Sequence, residues 1–446
     1  MGPQINARPA TRDASKIPLP LWGRAGWGLF MALHDNAEIR RIVYVCHSKE
    51  IGGAELYLEG LIRFTVSPRS PSPARGGGQG GGSAELICRR DPVLDQWVQG
   101  IIDLGVPVHR LDLKRPSDYL AMLRLLRRAD LVHLVLAYPT GKYQLTAALL
   151  TRFGGRPLVA THQLVVEIGE IAMNPFRRAF WRFAFRLYRR LARVNIASSK
   201  AGWQSLVRRY GFPESSTELI HNGANLERFA PITGDERRAI RLAIADELAG
   251  HPWPDDILLS CTIARFSVQK GLFDLVTAAS EVAGRLPAVR FLLAGDGELR
   301  EQLKARVTQL NLKDRVLFAG ARPLAELARW LGAADLFVLS SHYEGMPLSL
   351  IEAMAAGCPV VATAVGGVTD VVADDSVGRL VPPKKPEALA QAIIDVLSDG
   401  DRRRAMATAA RARAVSAFDV NTCYQKTTAI YRMLIPSPSG GGQGGG

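Results

Sequence analysis

The stretch from Asp335 to Thr363, DLFVLSSHYEGMPLSLIEAMAAGCPVVAT, constrains the fold of this chain more than any other. Leu336 to Leu339 is an uninterrupted apolar run, the pattern of a parallel strand buried on both faces, and Ser340 and Ser341 end it. From Leu348 to Ala356 the apolar residues Leu348, Ile351, Met354 and Ala355 fall at helical spacing. Gly357 stands where a left-handed helix cap belongs, and Pro359 bars continuation. Pro359 to Thr363 then reads as another strand. This order places the loop Ser341 to Pro347 at the carboxyl end of a parallel sheet, where open α/β folds take their ligands.

That loop carries Glu344, and Glu352 follows eight residues later in the second turn of the helix. The backbone N–H groups of Gly345, Met346, Leu348 and Ser349 lie at or near the helix start and form a ready anion site. On spacing alone the two carboxylates also read as a solvated loop residue and a surface helix residue.

Strand and helix patterns alternate along the rest of the chain, which predicts doubly wound parallel sheets. Ile42 to Cys46 is the first strand, and Gly52 and Gly53 stand between it and a helix through Phe64, letting the backbone approach a ligand closely. Further strands are expected at Ala84 to Cys88, Val106 to Leu111, Leu131 to Val135 and Leu158 to Thr161, with His162 at the end of the last. A second series begins at Ile257 to Ile263 and continues at Val289 to Ala294 and Arg315 to Gly320. Arg265 and Lys270 follow the first of these, two cations five residues apart beside Gly271, a pairing suited to a diphosphate. Gly295-Asp296-Gly297 leads into the next helix, but one Gly-x-Gly does not meet the dinucleotide fingerprint.

EGMPLSLIEAMAAGCPVVAT resembles the signature of the retaining family-4 glycosyltransferases of the GT-B fold, and the likeness extends from about Arg40 to Ile435. The resemblance implies two facing Rossmann-like domains with the active site in the cleft. It implies a glycosyl transfer from a nucleotide-diphosphate sugar, uridine being favoured over guanosine, to a glycan or lipid-linked acceptor in surface polysaccharide or glycolipid synthesis. In that family the two glutamates meet the donor sugar and the ribose, which carries over to Glu344 and Glu352. A His near the reacting sugar carries over to His162, so Glu344 and His162 are the catalytic candidates. Donor-binding candidates are Gly52, Gly53, Arg265, Lys270, Gly297, Gly345, Met346, Pro347, Leu348 and Glu352. No Asp-x-Asp metal motif accompanies them, so metal-independent catalysis without a cofactor is expected. Asn225 replaces the Asp that the family carries in its inter-domain segment. A nucleotide-sugar 2-epimerase of the same fold is the alternative.

The domains expected are an extension over 1–38, an acceptor domain over 39–225, a nucleotide-sugar domain over 226–418, a helix over 419–435 that returns to the first domain, and a tail over 436–446. The Pro/Gly-rich segment 66–83 interrupts the first domain and nearly repeats in the tail. Neither can bury enough apolar surface to offset its ordering entropy. Ile17 to Leu33 is apolar, but Pro18, Pro20 and Arg24 break it as a membrane span or signal; the regular pattern starts just after Met31, an alternative start.

The chain carries 56 Lys and Arg against 42 Asp and Glu, a formal net charge of +14, which suits phosphorylated substrates, anionic membranes or nucleic acid. No zinc-finger, helix-turn-helix or RNA-binding signature supports the last. The five cysteines are scattered without a C-x-x-C pair, which fits a reducing cytoplasm. Across 176–193 an arginine recurs at 178, 182, 186 and 190, and Phe176, Phe180, Phe183, Leu187 and Leu191 form a stripe expected to lie opposite. Two readings stay open: a domain helix with that stripe in the core, or a helix on the inner face of an anionic membrane.

Overall fold

The computed structural model describes residues 41–47, 52–67, 83–137, 142–165, 175–254 and 256–435. The extension 1–38, nearly all of the insertion 66–83 and the tail 436–446 lie outside them.

Short runs of Val, Ile and Leu build two sheets in which every strand pairing is parallel. The first contains β1 (Arg41–Cys46), β2 (Ser83–Cys88), β3 (Val108–Arg110), β4 (Leu131–Leu136), β5 (Leu158–His162), β6 (Val194–Ala197) and β7 (Thr217–Leu219), in the order β3-β2-β1-β4-β5-β6-β7. The second contains β8 (Leu258–Ile263), β9 (Val289–Ala294), β10 (Val316–Gly320), β11 (Leu336–Leu339), β12 (Val360–Thr363) and β13 (Arg379–Val381), in the order β10-β9-β8-β11-β12-β13. Both orders reverse direction once, between β1 and β4 and between β8 and β11, the doubly wound arrangement expected. The edge strands β3, β7 and β13 have three residues each, too short to recruit another sheet, and β7 and β13 are too short to show in a hydrophobic pattern.

Helices cover both faces of each sheet, so the molecule has four apolar cores, two to a sheet. One core of the first sheet includes Cys423, Tyr424, Ile430 and Tyr431 from the last helix, Val420–Leu434. The chain therefore crosses between the sheets twice. The crossings touch: Ala224 N donates to Phe418 O at 2.9 Å and Val420 N to Ala224 O at 3.1 Å. A Cβ on Gly223 would fall 2.5 Å from Val420 N, so only glycine lets the strands meet.

The basic helix runs from Pro175 to Leu191, and its buried face is not the expected one. Trp181, Ala184, Phe185 and Tyr188 enter the core, whereas Phe176, Phe180 and Phe183 face outward with Arg178, Arg182, Arg186 and Arg190. Two stripes of the same helical period exist in this aromatic-rich segment. Periodicity reports the period of a stripe and not which of two is packed.

Beneath the last helix, His133 Nδ1 meets the Tyr431 hydroxyl at 2.5 Å and Nε2 meets Thr161 Oγ1 at 2.7 Å. Burial pushes the imidazole down to about 3, so the ring is neutral and needs both partners. Tyr431→Phe leaves Nδ1 without its partner and should destabilise the first domain by about 1–3 kcal/mol. Urea unfolding followed by circular dichroism checks this, and an unchanged midpoint would contradict it.

Candidate functional site

At the switch point of the second sheet, the loop after β8 (264–271) faces the loop after β11 (340–347), and hydrogen bonds join them. Ser340 Oγ donates to Lys270 O at 2.9 Å, His342 N to Gln269 O at 2.7 Å, and Gln269 Nε2 to Tyr343 O at 3.0 Å. Gly271 makes the approach possible: its φ is +59°, and a Cβ there would lie 2.1 Å from Ser340 O. Across this seam Lys270 Nζ meets Glu344 Oε1 at 2.6 Å, and Ser341 Oγ donates to the same oxygen at 2.6 Å. Arg265 reaches outward on the same loop, 3.9 Å from Glu298 Oε1. Gly297 packs under that loop, where a Cβ would fall 2.5 Å from Phe266 O. Its part is to let the Arg265 loop close down.

Gly345 and Met346 continue into the helix Leu348–Ala355, with Pro347 as its N-cap. The loop is held from both sides. Gly367 N donates to Gly345 O at 2.9 Å, and a Cβ on Gly345 would fall 1.9 Å from Gln163 O of the first domain. Gly53, also of the first domain, faces Leu348, whose Cδ1 is 3.7 Å from where a Cβ would be. The glycine loop after β1 and the helix start of the second domain thus oppose each other across the cleft. The Met346 side chain belongs to the second domain's core, which leaves its amide for the cleft.

Glu352 lies on this helix, half-buried. Lost hydration pushes its carboxyl up to about 7, and the positive charge of Arg228 offsets part of that rise. Arg228 comes from the inter-domain segment, where Asn225 Oδ1 accepts the N–H groups of Glu227 and Arg228 at 3.1 and 2.9 Å. Asparagine thus caps this turn through the same oxygen an aspartate would use. Arg411 closes the other end of the helix, with Nη1 donating to Ala355 O at 2.5 Å and Phe229 O at 3.1 Å.

His162 is not brought to the cleft. Its backbone ends β5 there, but its ring turns into the first domain among Phe185, Tyr188 and Phe212, and Nε2 meets Asn195 Oδ1 at 3.1 Å. Burial lowers it to about 4. The structure therefore does not place the His162 ring in the cleft, where the catalytic expectation had it. Its neighbour Gln163 lies at the cleft instead, its side chain held by Asn222 Nδ2 at 2.8 Å. Asp370 bridges the domains: Oδ2 accepts Lys200 N at 2.5 Å and lies 3.5 Å from His221 Nε2. Sequence reasoning gave Arg228, Gln163, Asn222 and Arg411 no role: Asn222 and Arg228 lie in the inter-domain segment, Gln163 follows His162, and Arg411 comes from a distant helix, so no local pattern joins them. Among the described residues, no group of three or more His, Cys, Asp or Glu is placed to hold a metal.

Two family models divide the chain along the same lines. The model described as "Glycosyltransferase Family 4" matches residues 74–228 and "Glycosyl transferases group 1" matches residues 244–413. The chain belongs to the group 1 glycosyltransferases. It is 34% identical over 221 residues to a D-inositol 3-phosphate glycosyltransferase of Xylanimonas cellulosilytica, covering 49% of this chain and 51% of that protein. It is 28% identical over 241 residues to an uncharacterised glycosyltransferase of Methanocaldococcus jannaschii, covering 54% of this chain and 60% of that protein. The chain thus spans about half the length of the curated relatives it matches. Among solved structures, Anabaena Alr3699/HepE in complex with UDP-glucose superposes with a TM-score of 0.74 at 23% identity, over 88% of this chain and all of that one. WaaG, a glycosyltransferase involved in lipopolysaccharide biosynthesis, gives 0.65 at 17% over 87% of this chain and 99% of that one. Both likenesses establish the GT-B fold of this group 1 glycosyltransferase.

The raised carboxyl of Glu352 sets a pH dependence. Between about 4.5 and 7 the folded protein keeps a proton on Glu352 that the unfolded chain releases, so this group's stabilisation is complete below that window and lost as pH rises through it. Glu352→Gln should therefore gain Tm relative to the parent as pH rises from 5 to 8. Parallel Tm profiles for the two proteins would refute the assignment.

Proposed function

We propose that the chain transfers a glycosyl group from a UDP-sugar to a glycan or lipid-linked acceptor, with retention at the anomeric carbon and without a metal. The observation that carries this is the Lys270–Glu344 pair, a cation and a carboxylate held 2.6 Å apart at the switch-point crevice, with Arg265 on the same loop and helix-start amides beside them. The UDP-glucose complex of HepE, a protein of the same fold, supports the choice of donor.

In this reading the diphosphate lies on the amides of Gly345, Met346 and Leu348, and Lys270 and Arg265 neutralise it. Those two cations take the part a divalent ion would otherwise play. Glu344, held in place by Lys270 and Ser341, orients the sugar, and Glu352 accepts from the ribose. Gly52 and Gly53 close the cleft from the first domain. As the bond from C1 to the phosphate oxygen breaks, the acceptor oxygen bonds C1 from the same face. The acceptor proton passes to the departing phosphate oxygen, so no protein base is required.

The acceptor is brought at a membrane surface. Exposed Phe176, Phe180 and Phe183 alternate with arginines on the Pro175–Leu191 helix, the composition of a helix lying in an anionic interface. No helix among the described residues is long and apolar enough to cross a membrane. Replacing the three phenylalanines by Ser should reduce sedimentation with anionic vesicles; equal sedimentation would remove this part of the reading.

The central test is turnover of UDP-sugars, with release of UDP as the readout. Lys270→Ala and Glu344→Gln should each lower kcat about 10²–10³-fold, and Glu352→Ala should chiefly raise the KM for donor. A chelator should leave the rate unchanged. Conversion of the donor to an epimer without any acceptor, or normal turnover in the Lys270 and Glu344 variants, would overturn the proposal.

A further inference from the structure

A surface cavity of about 290 Å³ in the first domain is lined by Arg182, Phe185, Arg186, Arg209 and Tyr210. None of these residues belongs to the loops that form the donor cleft. Arg182 and Arg186 stand one turn apart on the Pro175–Leu191 helix and so leave it on one side. Arg209 and Tyr210 come from the opposite wall, a single π-helical turn, Ser205–Arg209, and its C-cap. Such turns are rare and concentrate at functional sites.

Two contacts fix the spacing of the walls. The Tyr210 ring stacks on Phe185 with centroids 4.1 Å apart and planes 16° apart. Arg189 Nη1, on the helix, donates to Gly211 O at 3.0 Å, and Gly211 turns the chain with a φ of +69°. The three guanidinium groups are thus set around a common space by the fold. No Asp or Glu occurs between Pro175 and Pro213, so the elements that wall the cavity contribute positive charge alone.

We propose that this cavity binds a phosphate ester. Guanidinium forks match phosphate oxygens in pairs, which ammonium groups or scattered surface charge do not. The volume lies near the lower limit of the ~300–1,000 Å³ usual for small-molecule sites, enough for a phosphate and the first atoms of its ester but not for a glycan. The stacked Phe185–Tyr210 pair offers those ester atoms an apolar floor. The site is separate from the donor cleft, so it stands or falls independently of glycosyl transfer. Phosphate esters reach such a site from two sources, a phospholipid headgroup or a water-soluble sugar or glycerol phosphate.

Titration calorimetry of the full chain with glycerol 3-phosphate and inorganic phosphate at fixed ionic strength tests this, beside flotation with vesicles of phosphatidylcholine alone or mixed with phosphatidylglycerol. Two double variants remove equal charge: Arg186→Gln/Arg209→Gln from the cavity, and Arg124→Gln/Arg128→Gln from the helix Pro116–Arg128, outside it. Saturable one-to-one binding that the first pair weakens about tenfold or more, and the second less than about twofold, is the expected result. If only the phosphatidylglycerol vesicles show this contrast, the ligand is a lipid headgroup; if only the soluble probes do, it is a soluble ester. Arg209→Lys keeps the charge without the fork and should lose most of the affinity at an unchanged melting temperature, which separates binding from folding. Equal losses in the two double variants, or no saturable binding of any probe, would overturn the proposal.

Discussion

The seam between the loops after β8 and β11 is the constraint on which the rest of the cleft depends. A left-handed glycine at 271 lets the two backbones touch, and the Ser340, His342 and Gln269 hydrogen bonds then leave little freedom in either loop. Lys270 and Glu344 are brought together with most of their hydration lost; their side chains retain 20% and 6% of their exposure. A charge pair so placed has little net effect on stability, because desolvation and attraction nearly cancel. What it contributes is position: both groups point at one crevice before any ligand arrives, so little reorganisation remains.

The same loop fastens the second domain to the first. Gly345 lies under the carbonyl of Gln163 and Gly367 against Ser199, while Asp370 receives the N–H of Lys200. A side chain at 345 or 367 would press on the first domain, at Gln163 or Ser199, and one at 366 would strike Glu344 O within the second, which explains the three glycines. Farther back, the paired crossings at Ala224 and Asp419 form the pivot, and Arg411 joins that pivot to the last turn of the Glu352 helix. Rotation about the crossing would therefore be felt at Glu352. A hinge of few residues, coupled to one helix end, is the usual means by which such clefts open and close.

Loss of hydration acts in opposite directions on the acids and bases of the two domains. It raises Glu352 and lowers His162 and His133, so each favours its neutral form. Glu344 instead has one oxygen met by both Lys270 Nζ and Ser341 Oγ. The cleft consequently has one carboxylate paired with an ammonium and a hydroxyl and one raised by lost hydration, an asymmetry that Glu-x7-Glu spacing does not reveal.

Much of the fold was legible in the chain. Apolar runs of four to six residues marked the central strands, since a parallel strand buried on both faces has no polar side to show; β7 and β13, with three residues, left no such mark. The cleft residues on either side of the switch point were legible for a related reason: each follows a strand directly, and strand ends are where the topology puts loops over the crevice. His162 also ends a strand, yet its ring turns into the first domain, because position along a strand does not say to which face the last side chain turns. The basic helix shows the same limit, with two apolar stripes of equal period and one packing site. The sequence by itself determined the alternation of elements, the two sheets and the loops that could meet a ligand, all of which follow from local periodicity and turn chemistry. Only the tertiary structure decided which face of a helix is buried, which ring leaves the cleft, and how Arg228, Gln163 and Arg411 converge, because those outcomes depend on contacts between residues far apart in the chain.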